Sequence, residues 1–161
     1  MPGFGFAVAA TTLIGQNLGA RQPKVAREAG WLTMKLAIAF MGTMGILLFF
    51  FAEPFVGFFT NEPQVIEEGA RVLRIMAFAQ PLMAIARVAA GALRGAGDTR
   101  FVMYGTGLSI WVARLGLAYL FVKVLNWGLV GAWIGLFADQ AVRALVFGVR
   151  YYQGKWQLMQ V

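Results

Sequence analysis

Long apolar runs separated by short polar breaks constrain this chain more than any other feature. Residues 31–52 are apolar apart from Lys35, and residues 101–122 carry only Arg114. Residues 2–20 carry no charge at all. A run of about 18 or more mostly apolar residues is long enough to cross the hydrocarbon core of a bilayer as a helix. The pattern therefore predicts an all-α integral membrane helical bundle.

The composition agrees with a membrane protein and excludes several other classes. Hydrophobic residues make up 60% of the chain and charged residues 13%, whereas soluble domains carry about 25% charged residues. The net charge is +7, but the Lys and Arg residues are dispersed at predicted helix ends. A nucleic-acid footprint needs them clustered, so nucleic acid is not an expected partner. The chain has no Cys and no His, so we predict no metal site and no cofactor.

The apolar runs predict five transmembrane helices and a short tail. We expect residues 1–149 to form the transmembrane bundle and residues 150–161 to form a cytoplasmic tail. Side-chain oxygens of Thr60 or Asn61 can cap the third helix, and Asp98 or Thr99 can cap the fourth. The third helix contains Pro81, which should kink or loosen it. The predicted helices cover about 3–20, 27–52, 69–93 and 101–125, and the fifth runs from just after residue 128 to about 149.

The loop charges predict the orientation of the bundle. The first break, the third break and the tail are basic, whereas the second contains four glutamates and the fourth is nearly neutral. The positive-inside rule then places the N-terminus outside and the basic breaks in the cytoplasm. Arg71 and Arg74 weaken this count because they lie beside the acidic break. We expect a multi-pass protein of the plasma (inner) membrane.

Charged residues inside the predicted spans are candidates for an ion pair. Arg114 and Asp139 lie at similar depths on two adjacent antiparallel helices, because their distances from the cytoplasmic ends differ by only about 5 Å. Arg143 lies one turn beyond Asp139 and can share its carboxylate. We therefore predict an intramembrane ion pair among these three residues. Two roles stay open: fixing the register of the two helices, or coupling to a proton or cation.

Other polar and methionine side chains are candidates for a substrate path. Uncharged polar groups within membrane helices either hydrogen-bond a neighbouring helix or line a path. Methionine suits adaptable binding surfaces, although it more often packs. We predict no catalytic residues and no enzyme activity, since the aspartates lie on separate elements and no phosphate loop is present. The substrate-path candidates are Gln16, Asn17, Met76, Gln80 and Met83.

Four segments together resemble the multidrug and toxic compound extrusion (MATE) transporters. Residues 91–100, GALRGAGDTR, are similar to that family's loop between the tenth and eleventh helices. Residues 10–20, ATTLIGQNLGA, resemble the end of its eighth helix. Residues 59–66 resemble its outer loop before the tenth helix, and residues 131–133 with Asp139 and Arg143 resemble its twelfth helix. The matches occur in the family's order and span almost the whole chain.

The resemblance implies a fold and a function. It implies twelve helices in two lobes, of which this chain supplies helices eight to twelve, so that an N-terminal lobe is a missing partner. The implied function is part of a secondary active antiporter that exports cationic or amphipathic small molecules in exchange for protons or sodium ions. Some branches of the family carry a cation-binding aspartate on the tenth helix, but residues 69–93 contain no acid. The resemblance therefore favours the DNA-damage-inducible F branch.

Three alternative functions remain open from the sequence. The first is a flippase for lipid-linked oligosaccharides from the same superfamily, whose cavity should be strongly cationic. The second is a non-transporting membrane scaffold. The third is a membrane enzyme, which would depend on Asp98 or Asp139. The substrate, the coupling ion and the oligomeric state are not predicted.

Overall fold

The computed structural model describes residues 2–158 and is helical, with no strand among those residues. Met1 and the last three residues of the predicted tail, 159–161, lie outside the described residues. The helices are α1 (Pro2–Gly19), α2 (Pro23–Phe50), the short α3 (Ala52–Gly57), α4 (Pro63–Gly95), α5 (Thr99–Val124) and α6 (Gly128–Tyr152). A 3₁₀ turn, Lys155–Leu158, follows α6.

Four of these helices are long and apolar enough to cross a membrane: α2, α4, α5 and α6. The first helix, α1, contains 18 residues. It is not among these four, and it carries no charge but includes two threonines, a glutamine and an asparagine. It nevertheless packs in the same bundle. The prediction of an all-α membrane bundle is therefore confirmed, with four spans that meet the criteria of length and composition and α1 beside them.

The long helix α4 lies at the centre of the bundle and contacts α1, α2 and α6. Small residues allow α1 and α4 to approach closely, because a Cβ on Gly91 would overlap the Ala7 backbone and one on Gly95 would overlap the Thr11 backbone. The Thr11 hydroxyl donates a hydrogen bond across the interface to the Gly91 carbonyl oxygen at 2.9 Å. These contacts advance in the same direction along both helices, so α1 and α4 are parallel.

A similar close contact joins α5 and α6. A Cβ on Gly131 would lie 2.9 Å from the Phe121 Cβ, and one on Gly135 would lie 2.9 Å from the Ala118 backbone nitrogen. These pairs run in opposite directions along the chain, as expected for adjacent helices joined by a short loop. Two stretches of α5, Ser109–Gly116 and Leu120–Val124, have π-helical hydrogen bonding. Small residues at spacings of four thus hold both helix pairs together.

An aromatic cluster joins α2, α6 and the 3₁₀ turn that follows α6. Tyr151 on α6 stacks on Trp156 of the 3₁₀ turn, with ring centroids 5.1 Å apart, and Trp31 of α2 contacts it edge-on. The Trp156 indole N–H donates to the Tyr151 carbonyl oxygen at 2.9 Å, and the Tyr151 hydroxyl donates to the Arg27 carbonyl oxygen at 3.2 Å. Trp156 is completely buried. The tail therefore folds back onto the bundle at least as far as this turn.

The outer ends carry local ion pairs that account for the two arginines beside the acidic break. Arg71 binds Glu67 and Glu68, and Arg74 binds Glu53 at 2.7 Å. Each arginine is therefore partly neutralised by glutamates on the same side of the bundle. The surplus of positive charge at the other end of the bundle is left unbalanced.

Several local predictions differ from the structure. The predicted polar stretch contains the helix α3, and α4 begins at Pro63, one turn and more before residue 69. Helix α4 contains Pro81 and continues through it, as the predicted third helix does. Asp98 occupies the cap position of α5 but makes no capping hydrogen bond. Its carboxylate instead binds Arg150 at 2.9 Å, because α6 extends to Tyr152, beyond the predicted end at 149, and brings this guanidinium beside it.

Candidate functional site

A cavity of about 290 Å³ lies among α1, α4, α5 and α6. Three arginines line it, together with uncharged polar and apolar side chains, and none of its described lining residues is acidic. The apolar part of the wall comes mainly from α1 and from Phe147. The polar lining residues are Arg87, Arg94, Arg143, Thr11, Thr106 and Gln140.

The three arginines lie at two levels of the bundle. Arg87 is about 12 Å from the inner end of α4, and Arg143 is about 14 Å from the inner end of α6, at 1.5 Å rise per residue. Both are half-buried, whereas Arg94 is exposed near the inner end of α4. The backbones of Arg87 and Arg143 therefore lie at similar distances from their helix ends, whereas Arg94 lies next to the end of α4.

The ion pair at this site is formed within α6. Arg143 Nε donates to Asp139 Oδ1 at 2.9 Å, one helical turn away. The Ser109 hydroxyl on α5 donates to the same carboxylate oxygen. Asp139 is only 1% exposed, and its other oxygen, Oδ2, has no hydrogen-bond partner among the described residues. A buried carboxylate needs such partners because desolvation of an isolated charge is costly.

The predicted partner Arg114 is not part of this ion pair. Its side chain is exposed, and it forms no ion pair with any of the described residues. Ser109 and Ala113 are the buried residues of this part of α5. Arg114 follows Ala113 and is therefore turned away from the surface that contacts α6. Depth alone suggested this pairing, but the rotation of α5 about its axis prevents it.

The structure places the five substrate-path candidates outside the arginine-lined cavity. Gln16 is exposed, and Asn17 donates to the Leu13 carbonyl oxygen of its own helix at 2.7 Å. Met83 is buried in the core, and Met76 packs against that core. The Gln80 side chain lies beside Gly45 of α2. Their participation in a substrate path is untested.

Sequence reasoning did not assign the other polar residues that line the cavity to a substrate path. Arg87, Ala90 and Arg94 have the three- and seven-residue spacing that places side chains on one face of a helix. Gln140, Arg143 and Phe147 have the same pattern on α6. Each pattern was visible in the sequence, but only the packing of α4 against α6 joins them. No cluster that could hold a metal ion occurs in residues 2–158.

Comparison with protein families identifies the chain. The MatE family model matches residues 1–120. A probable multidrug resistance protein NorM of Thermotoga maritima is 40% identical over 161 residues, which cover 98% of this chain and 34% of that protein. The uncharacterized transporter YisQ of Bacillus subtilis is 30% identical and is matched over 95% of this chain and 34% of its own length. The chain thus spans about a third of these relatives.

Solved structures support the same fold. A eukaryotic MATE transporter, AtDTX14, superimposes with a TM-score of 0.89 and 22% identity over 96% of this chain and 35% of its own. An inward-facing multidrug resistance MATE transporter superimposes with a TM-score of 0.85 and 20% identity, over 92% and 33%. At these identities the likeness establishes the fold alone. Together with the family match and the NorM relative, it leads to the conclusion that this chain belongs to the MatE family.

Proposed function

We propose that this chain forms part of a secondary active antiporter that exports toxic small molecules in exchange for protons or sodium ions. Family membership supports this function, and so does the polar cavity among α1, α4, α5 and α6. Transporter sites commonly lie near the bilayer midplane, between helices that rock against the rest of the protein. In this proposal the protein acts in the plasma membrane as a transporter and not as an enzyme, and an N-terminal lobe completes the substrate path.

The cavity is the observation that carries the proposal. Its polar groups lie at a membrane depth where buried charge is costly and usually serves a pathway or a pair. Arg143 has a pairing role through Asp139. Arg87 and Arg94 also line the cavity, where they add positive charge to the same lining.

The experiment is an efflux assay in bacteria that lack their main drug exporters. Cells would express the complete product of the gene that encodes this chain, or the 161-residue chain alone. We expect the complete product to lower the accumulation of amphipathic dyes and the short chain to have no effect. Dye efflux by the short chain would show that an N-terminal lobe is not required. No efflux by either, across a broad dye panel, would contradict the proposed function.

The coupling ion requires a separate experiment with purified protein in liposomes. Substrate uptake would be driven in turn by an imposed proton gradient and by an imposed sodium gradient. The absence of an acid in residues 69–93 supports coupling through another part of the protein, as the DNA-damage-inducible F branch predicts. We therefore expect Asp139→Asn to leave the choice of coupling ion unchanged.

A flippase for lipid-linked oligosaccharides is the second candidate function. Three arginines in one cavity favour it, because a pyrophosphate group needs several guanidinium partners. Translocation of a fluorescent lipid-linked pyrophosphate by liposomes, without dye efflux in cells, would favour this candidate over a drug exporter.

A further inference from the structure

We propose that the cavity among α1, α4, α5 and α6 binds the negatively charged group of an amphipathic organic anion. This inference rests on the proposed transport function and specifies its substrate class. Family resemblance implies cationic or amphipathic substrates. The charge of this cavity selects amphipathic molecules that carry a carboxylate, sulfonate or phosphate.

The positive charge of the cavity lining favours an anionic ligand. Arg87, Arg94 and Arg143 line the cavity, and its other described lining residues are uncharged. Asp139 is the acid beside it, and its bonds go to Arg143 and Ser109. A cation that entered would meet three guanidinium groups, whereas the Asp139 carboxylate is only 1% exposed and does not line the cavity. Because the surroundings are apolar, repulsion there is screened far less than in water.

Arg143 is held by Asp139 and still has N–H donors that can bind an anion. Asp139 and Arg143 lie one turn apart, and the carboxylate accepts the Nε–H of the guanidinium. A guanidinium group has five N–H donors. The four on the terminal nitrogens have no partner among the described residues, and the side chain is 19% exposed. The Asp139 carboxylate therefore holds Arg143 in place. The two terminal nitrogens of the Arg143 guanidinium group remain available to bind an anion in a bidentate manner.

The side chain of Arg87 has room to pass beside α1. Its aliphatic stem passes α1 at Gly3, where an added Cβ would lie 3.2 Å from the Arg87 Cδ. A glycine at this point gives the stem room beside α1. Arg87 on α4 and Arg143 on α6 thus line the same cavity from two different helices.

The remaining lining residues indicate the rest of the ligand. Thr106 and Gln140 supply neutral hydrogen-bonding groups. Phe4, Val8 and Phe147 supply an apolar surface on the same cavity. An aromatic or aliphatic body with one anionic group matches both parts of the wall. Two sources have this chemistry: a soluble amphiphile and the headgroup of an anionic lipid.

The test compares two probes with the same aromatic body and opposite charge. These are 2-naphthalenesulfonate and (2-naphthyl)trimethylammonium, titrated calorimetrically into the complete gene product in phosphatidylcholine nanodiscs. We expect the sulfonate to bind at least about tenfold more tightly than the ammonium compound. Arg87→Gln and Arg94→Gln should each weaken sulfonate binding about tenfold, the usual cost of a lost charge-assisted hydrogen bond.

The matched control is Arg114→Gln. Arg114 is also an arginine within a membrane span, but it lies on the exposed surface and does not line the cavity. Its replacement should leave sulfonate binding unchanged. Arg143→Gln would leave the buried Asp139 carboxylate without its charged partner and could prevent folding. The variant tested at this position is therefore Arg143→Lys. It keeps the charge and loses the two-pronged geometry, and we expect weaker sulfonate binding.

The outcomes separate this proposal from the transport function. Equal affinity for the two probes, or sulfonate binding unaffected by Arg87→Gln and Arg94→Gln, would overturn the anion site even if dye efflux persists. Selective sulfonate binding without any efflux would support the anion site and contradict the transport function. Competition by phosphatidylglycerol that Arg87→Gln abolishes would identify a lipid headgroup as the ligand. No competition would identify a soluble anion.

Discussion

Replacing Gly91 by alanine should separate α1 from α4. The new Cβ would lie 3.0 Å from the Ala7 carbonyl carbon and closer still to its oxygen, whereas ordinary contact begins at 3.4 Å. The obstacle is backbone, so it cannot move aside as a flexible side chain would. The two helices must part by about half an ångström or more, which forfeits at least a quarter of the dispersion energy of each contact across the gap.

The expected loss in the free energy of unfolding follows from three terms. Overpacking costs about 1–3 kcal/mol, and weakening the Thr11–Gly91 hydrogen bond costs about 0.6 kcal/mol more. The alanine itself favours the helix by about 1 kcal/mol over glycine. We therefore expect Gly91→Ala to destabilise the protein by about 0.6–2.6 kcal/mol.

The assay is reversible unfolding of the complete gene product in mixed micelles, titrated with sodium dodecyl sulfate and followed by circular dichroism. The control is Gly42→Ala on α2, because a Cβ there meets no atom within 4 Å. The control should be as stable as the parent or more stable by up to about 1 kcal/mol. If Gly91→Ala matched Gly42→Ala, close contact between α1 and α4 would not be what holds them together.

Three further predictions concern the buried ion pair, the inner aromatic cluster and the orientation. Asp139→Asn should lower folded yield, because breaking a buried ion pair costs about 3–5 kcal/mol; normal yield with lost ion coupling would assign Asp139 to coupling instead. Gly30→Ala should lower the unfolding temperature, because the new Cβ would overlap the Tyr151 hydroxyl. The double variant with Tyr151→Phe should recover part of that loss. If it recovers none, the overlap is not the cause of the lower unfolding temperature. The chain contains no cysteine, so single introduced cysteines can report the orientation. Glu62→Cys should react with a membrane-impermeant maleimide in intact cells, whereas Lys155→Cys should react only after permeabilisation. The reverse labelling pattern would show that the predicted orientation is wrong.

The distribution of charge links the fold to the proposed function. Arg71 and Arg74 are paired with outer glutamates, so they weaken the positive-inside pattern less than a count of residues suggests. At the inner end, Asp98 neutralises Arg150 while it joins α6 to the start of α5. Arg94 at that end extends the positive charge into the cavity. If the predicted orientation and the proposed anion site hold, an anion that enters from the cytoplasm meets the positive charge of Arg94 before it reaches Arg87 and Arg143.

The sequence alone determined the class of the protein and the approximate number and order of its helices. Hydrophobic length decides whether a segment can cross a bilayer, and it is a local property that one chain displays directly. The role of Asp98 could not be predicted from the residues next to it in the chain. A cap is the usual role of aspartate before a helix, but the carboxylate binds a guanidinium 52 positions later in the chain.

Only the tertiary structure decided which charges meet. Arg114 and Asp139 have matching depths, yet depth leaves the rotation of each helix about its axis undetermined. That rotation is set by glycines such as Gly131 and Gly135, which bring α6 against α5 on one particular face. The packing of α4 against α6 brings Arg87 and Arg94 into the same cavity as Arg143. Hydropathy carries almost no information about it, because in a bilayer a helix face that meets lipid is as apolar as one that meets another helix.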